Sequence, residues 1–220
     1  MVLACFHIYS YICEVNMDFK CFSLTLVVVV MMIACVSERK APRCMLPESA
    51  ELRTGDVVFR RGGGFESHAV ISLDAHGQYS HVGIVVDTLG RKMIVHAVPG
   101  EPDFEGDEDR VKLDEVEKFF SSIYANKGAV MRCQDSLKAS VAADVALSVY
   151  RRGVLFDHDY EIGDTTKMYC TELVMYAYQR AGLNLVSNTP HGISLPLVQT
   201  DVYFPSDVYE SKWLRTIVSF

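Results

Sequence analysis

From residue 53 onward, apolar and polar positions recur with short periods that predict alternating strands and helices. Thr54-Gly55-Asp56 reads as a turn leading into a strand at Val57–Arg60. Gly62-Gly63-Gly64 lacks the lysine and flanks of a phosphate-binding loop, so it is a turn or substrate-side loop, followed by a short helix over Ser67–Ser72. Strands are expected at His81–Val86 and Lys92–Val98, joined by the turn Asp87-Thr88-Leu89-Gly90. Helices are expected at Asp114–Tyr124, Ser136–Arg152 and Thr171–Ala181, and strands at Ala129–Cys133 and Trp213–Ser219. In the second of these helices Leu137, Val141, Val145 and Val149 recur every four residues and predict the buried face, with Gly153 as its C-terminal stop. Pro205-Ser206-Asp207 caps a helical turn. The irregular order of strands and helices favours an α+β class over a doubly wound sheet.

The earliest apolar run, Phe22–Ala34, is uncharged but shorter than the roughly 20 residues that span a bilayer, and it fits the core of an export signal. Met17, followed by Asp18 and Lys20, supplies a start with the usual short n-region, which marks 1–16 as an overextended beginning. The run ends in Ala34-Cys35 and a polar stretch. A small residue and then cysteine after such a run resembles a bacterial lipobox, which implies a lipid on Cys35, an exported protein and a membrane anchor. The expected organisation is an export segment over 1–35, a linker over 36–52 and one domain over 53–220.

Composition narrows the partners. A formal charge of −7 and no basic stripe argue against nucleic acid. Three of the seven cysteines precede Cys35, so the folded part keeps only Cys44, Cys133 and Cys170, too few for a disulfide framework. A Cys44–Cys133 bridge is open in an oxidising compartment, though no spacing argues for it.

Three residues carry candidate chemistry. Cys170 opens a predicted helix, where free backbone amides and the helix dipole favour a thiolate and could hold an oxyanion. In the hairpin, strand pairs have numbers with an odd sum, which puts His81 and His96 on one face, directly opposite each other for a turn centred on Thr88-Leu89. One imidazole would then orient the other, and nucleophile, base and orienting group are the three roles of a catalytic triad. Singly, each residue is more ordinarily core packing; it is the combination that points to chemistry. A zinc site of the same three residues is disfavoured because no close-spaced ligand pair supports it. Neither metal nor organic cofactor is needed. Tyr169 could lend a hydroxyl near the oxyanion or simply pack, Ser67 could line the cleft, and the acidic segment Gly100–Arg110 is expected to be exposed.

The ordered set Thr54–Arg60, Tyr79-Ser80-His81-Val82-Gly83-Ile84-Val85 and Tyr169-Cys170-Thr171-Glu172-Leu173-Val174, with Ala177-Tyr178, Ala181-Gly182 and Tyr203–Asp207, resembles the circularly permuted, NlpC-type papain-like cysteine hydrolases of the YiiX/YebB-like group. The resemblance implies an antiparallel sheet or barrel packed on helices. It implies Cys170 as nucleophile, His81 as base and His96 as the third polar residue, where many permuted relatives carry Glu. The implied reaction is acyl-enzyme hydrolysis of an amide or ester, with a cell-wall peptide or a lipid as substrate. Acyl transfer on the same fold and a non-catalytic, cell-wall-binding lipoprotein stand as alternatives.

Overall fold

Strand β1 (Val57–Arg61) is paired on both sides, with β2 (His81–Thr88) and with β5 (Lys127–Cys133), and its five residues are apolar or arginine throughout. That is the pattern of a strand covered on both faces. Around it the sheet runs β4-β3-β2-β1-β5-β8, adding β3 (Arg91–Val98), β4 (Arg110–Glu115) and β8 (Leu214–Ser219), with every neighbouring pair antiparallel. The helices are α1 (Phe65–Leu73), the short α2 (Val116–Phe119), α3 (Ser136–Arg151), α4 (Cys170–Arg180) and α5 (Pro205–Tyr209). A separate hairpin pairs β6 (His191–Leu195) with β7 (Val198–Val202). The structure, a computed structural model, describes residues 41–195 and 198–220. Cys35, the apolar run before it and the three earlier cysteines lie outside the described residues.

The architecture is the expected α+β one, an antiparallel sheet packed on helices. Val57, Phe59, Val82, Ile84 and Val95 face α3 and α4 across one core. Val58, Val85, Ile94 and Val130 pack on the other face beneath Phe119 and Phe120. The start of β1 is locked by Asp56, which takes two bonds from Arg132 at 2.8 and 2.7 Å. Gly55 precedes it with φ of +85°, and a Cβ there would lie 2.4 Å from the Ala139 carbonyl oxygen, so only glycine fits.

Several expectations are corrected. Helix α3 does not bury the Leu137/Val141 stripe: these residues are 79% and 47% exposed, and the buried face is Ala139, Ala142, Ala143 and Ala146 with Leu147 and Val149. Small side chains let the helix backbone approach the sheet closely, and that gain outweighs the area of the larger residues. The expected helix over Asp114–Tyr124 is instead the end of β4 followed by the single turn α2. In Arg110–Glu115, Val111 and Leu113 alternate with Lys112 and Asp114, a strand period. Part of the expected linker joins the fold, with Leu46 and Leu52 packed on the second core and the Met45 N–H bonded to the Phe120 carbonyl at 2.8 Å. Cys44 and Cys133 are unpaired. The hairpin β6–β7 was not foreseen.

Candidate active site

The β2–β3 hairpin turns at Leu89–Gly90, both at positive φ, one residue later than the centre that would set the histidines face to face. Partners therefore sum to 179, as in Ile84↔Val95, rather than 177. The change is even, so His81 and His96 keep a common face, but they sit diagonally, and the position across from His96 is Gly83. A Cβ at Gly83 would come within 3.1 Å of His96 Cβ and 2.8 Å of Ile94 Cγ2. The bare glycine leaves the room in which the two rings lean together, with His81 Nε2 2.9 Å from His96 Nδ1 and the rings nearly perpendicular at 79°.

The sheet parts at this place. The β2–β3 ladder ends at Ile84↔Val95, whereas β1–β2 continues to Arg60↔His81 and β3–β4 to Val98↔Arg110. A seam therefore opens between residues 81–83 and 96–98. Val85 donates its N–H toward β1, so by alternation the Val82 N–H points across the seam. The Val82 N–H also favours the thiolate of Cys170, the first residue of α4. Helix α4 packs on one face of the sheet and the histidines lie on the other, against Phe119; among the described residues the hydrogen-bond partner of the Cys170 sulfur is the Thr171 hydroxyl at 3.8 Å, and no hydrogen bond joins it to either imidazole.

Electrostatics around the seam are those of buried groups. Burial pushes the Cys170 thiol up, against the N–H of Val82 and the Thr171 hydroxyl and helix-start amides, which favour the thiolate. The helix-start amides favour the thiolate, as the sequence implies, and desolvation opposes them. Burial, then Arg60, then His96 hold His81 well below the usual imidazole range. His96 is also lowered by burial, in part offset by Asp114. His81 is 8% exposed and His96 fully covered, and both are neutral. The two spend one nitrogen each on one another, and His96 gives its other nitrogen to Asp114 at 3.1 Å, which leaves His81 Nδ1 as the available nitrogen of the pair.

The remaining candidates take other places. Tyr169 precedes Cys170, and its hydroxyl accepts from the Tyr203 N–H at 3.0 Å, which ties the C-terminal segment to the helix start. Ser67 lies 2.9 Å from the Gly62 carbonyl and 2.6 Å from the Ser80 hydroxyl, bracing α1 against the residue before His81. Neither contact is with the Cys170 sulfur. Among the described residues, no cluster of three or more His, Cys, Asp or Glu is disposed to hold a metal ion.

Sequence reasoning missed three neighbours. Asp114 sits behind His96 and also takes Lys118 at 2.9 Å. Arg60 faces His81 across the ladder and pairs with Glu101, whose loop was expected to be exposed. Tyr160 holds a left-handed backbone with φ of 55°, its ring 5.3 Å from Tyr169. Burial and then the nearby Cys170 sulfur push its phenol up. The two-residue alternation of Arg110–Glu115 was the signal for Asp114.

A family model described as permuted papain-like amidase enzyme, YaeF/YiiX, C92 family, matches residues 51–193. Among solved structures, the metalloprotein yiiX from Escherichia coli O157:H7 is similar, with a TM-score of 0.59 at 21% identity, over 78% of this chain and 99% of that one. No curated protein matches the chain.

Proposed function

Because the chain belongs to the permuted papain-like amidase family, YaeF/YiiX, C92, we propose that it is a thiol hydrolase of amide or ester bonds in which Cys170 is the nucleophile, His81 its base and His96 the orienting group. The observation that carries this reading is the paired imidazoles of His81 and His96, 2.9 Å apart beside the break in the ladder, in a sheet on which α4 packs with Cys170 as its first residue.

The steps follow from those groups. The Cys170 sulfur attacks the carbonyl carbon as its proton passes to His81 Nδ1. Backbone amides at the start of α4 receive the oxyanion. The carbon–nitrogen (or carbon–oxygen) bond then breaks, and His81 returns the proton to the leaving group. Water, deprotonated by His81, hydrolyses the thioester, releasing the acid and restoring the thiol. A cell-wall peptide or a lipid amide or ester supplies the carbonyl. We further propose that the protein is exported and held at the membrane by a lipid on Cys35; an unmodified Cys35 in the mature protein, read by mass spectrometry, would exclude that.

An electrophilic thiol probe tests the enzyme reading. Labelling at Cys170 that is lost in Cys170→Ser and reduced at least tenfold in His81→Ala supports it. Intact protein that takes no label at Cys170 overturns it in favour of a binder.

A further inference from the structure

We infer that Asp114, held by Lys118, is a positioning residue that fixes the tautomers of both histidines and so decides whether His81 Nδ1 carries a hydrogen or a free lone pair. The inference rests on the proposed role of Cys170 and His81 and extends it to a fourth position.

The argument is one of donors and acceptors. Asp114 is almost wholly buried, and its carboxyl is held down at about 2: burial opposes this, but the bonds and charges of His96 and Lys118 prevail. An ionised carboxylate only accepts. Lys118 Nζ occupies Oδ1 at 2.9 Å, and Oδ2 faces His96 Nε2 at 3.1 Å. His96 Nε2 must therefore carry a hydrogen. A neutral imidazole has one, so His96 Nδ1 is bare and accepts. His81 Nε2, 2.9 Å away, must then donate, and His81 Nδ1 is left with a free lone pair. Without Asp114 nothing on this face selects between the two arrangements of the pair, and in the wrong one His81 carries its proton on Nδ1 and cannot accept another there.

The carboxylate also sets basicity. It raises His96 by its hydrogen bond and charge, and His96 in turn accepts from His81. The other charged groups facing the histidines are Arg60 from β1, which lowers both, and Glu101 from the loop after β3, which raises His96. Lys118 of α2 is shared between Asp114 and Asp103, and Cys170 approaches from α4. Of these, Asp114 alone bonds a histidine nitrogen.

The test uses the full chain labelled with nitrogen-15 in histidine. At neutral pH, long-range nitrogen–proton correlations are expected to show His81 and His96 as Nε2–H tautomers in the parent. In Asp114→Ala the His96 pattern becomes mixed, and iodoacetamide alkylates Cys170 about tenfold to a hundredfold more slowly, the range for outer partners that orient a histidine. Asp114→Asn keeps the shape and so serves where the alanine variant does not fold. Lys118 takes its amide oxygen, so the amide NH2 faces His96 Nε2 and reverses both tautomers, putting the hydrogen of His81 on Nδ1, with slower alkylation as the result. Unchanged tautomers in Asp114→Ala or in Asp114→Asn overturn the inference. If His81→Ala itself leaves alkylation unchanged, the hydrolase reading fails instead, while the tautomer spectrum still decides the role of Asp114.

Discussion

Arg60 stands directly across the β1–β2 ladder from His81, with its guanidinium 4.7 Å over the ring of Phe119 and bonded to the Phe119 carbonyl at 3.1 Å. A buried cation beside an imidazole disfavours a second positive charge, and this is one reason His81 is neutral. Removing Arg60 alone would strand Glu101 and cost about 3–5 kcal/mol. The double variant Arg60→Met/Glu101→Gln removes both charges. His81 is then expected to titrate at higher pH, so the acid limb of Cys170 alkylation moves upward. An unmoved limb would show that Arg60 does not tune the base.

Acid should loosen the fold through the same histidines. Both are held below the ordinary value of 6.5 in the folded protein and return to it on unfolding. The unfolded chain thus binds more protons below that value. Stability is complete above it and falls as pH drops, by up to about 1.4 kcal/mol per pH unit for each histidine. Asp114 adds a loss only below its ordinary 3.8. Urea unfolding at a series of pH values checks this, and His81→Gln/His96→Gln is expected to flatten the curve between about pH 7 and pH 5.

Gly83→Ala places a methyl group against His96 and Ile94 at the distances of a clash. Overpacking of this kind costs about 1–3 kcal/mol. The expected signature is a displaced His96, seen as a changed nitrogen-15 pattern, together with slower Cys170 labelling. A variant with parental labelling would show that the glycine is not what seats the imidazole.

The buried face of α3 can be tested by a pair of substitutions. Leu137→Ala, at an exposed position, is expected to change unfolding free energy by no more than about 0.5 kcal/mol. Ala142→Leu, at a fully covered one, should destabilise by about 1–3 kcal/mol. The reverse ranking by chemical denaturation would restore the leucine stripe as the core face.

The two histidines were legible because strand alternation carries over a register shift of two: the common face survived even though the turn fell one residue later than expected. Cys170 was legible as a helix start from Tyr169-Cys170 and the apolar spacing after it. Asp114 was hidden because an acidic residue ahead of apolar ones resembles a helix cap, while its alternation with Val111 and Leu113 is short. The face of α3 was misread because alanine gives a weak hydrophobic signal; what buries it is closeness of approach to the sheet, a property of the assembled layers. The seam depends on where one ladder stops while its neighbours continue, which no local pattern encodes.

That break in the ladder divides labour between the two sides of a β-sheet. Helix α4 and the sulfur belong to one side, and the imidazoles with their carboxylate and ammonium support to the other. On the proposed chemistry the leaving group takes its proton from His81 Nδ1, so the reacting bond must enter the break itself, within reach of both sides, while the rest of the substrate rests on the helix side. Substitutions on the rear side could then retune acid–base strength without altering the surface that chooses the substrate, so pH response and selectivity would be free to diverge independently.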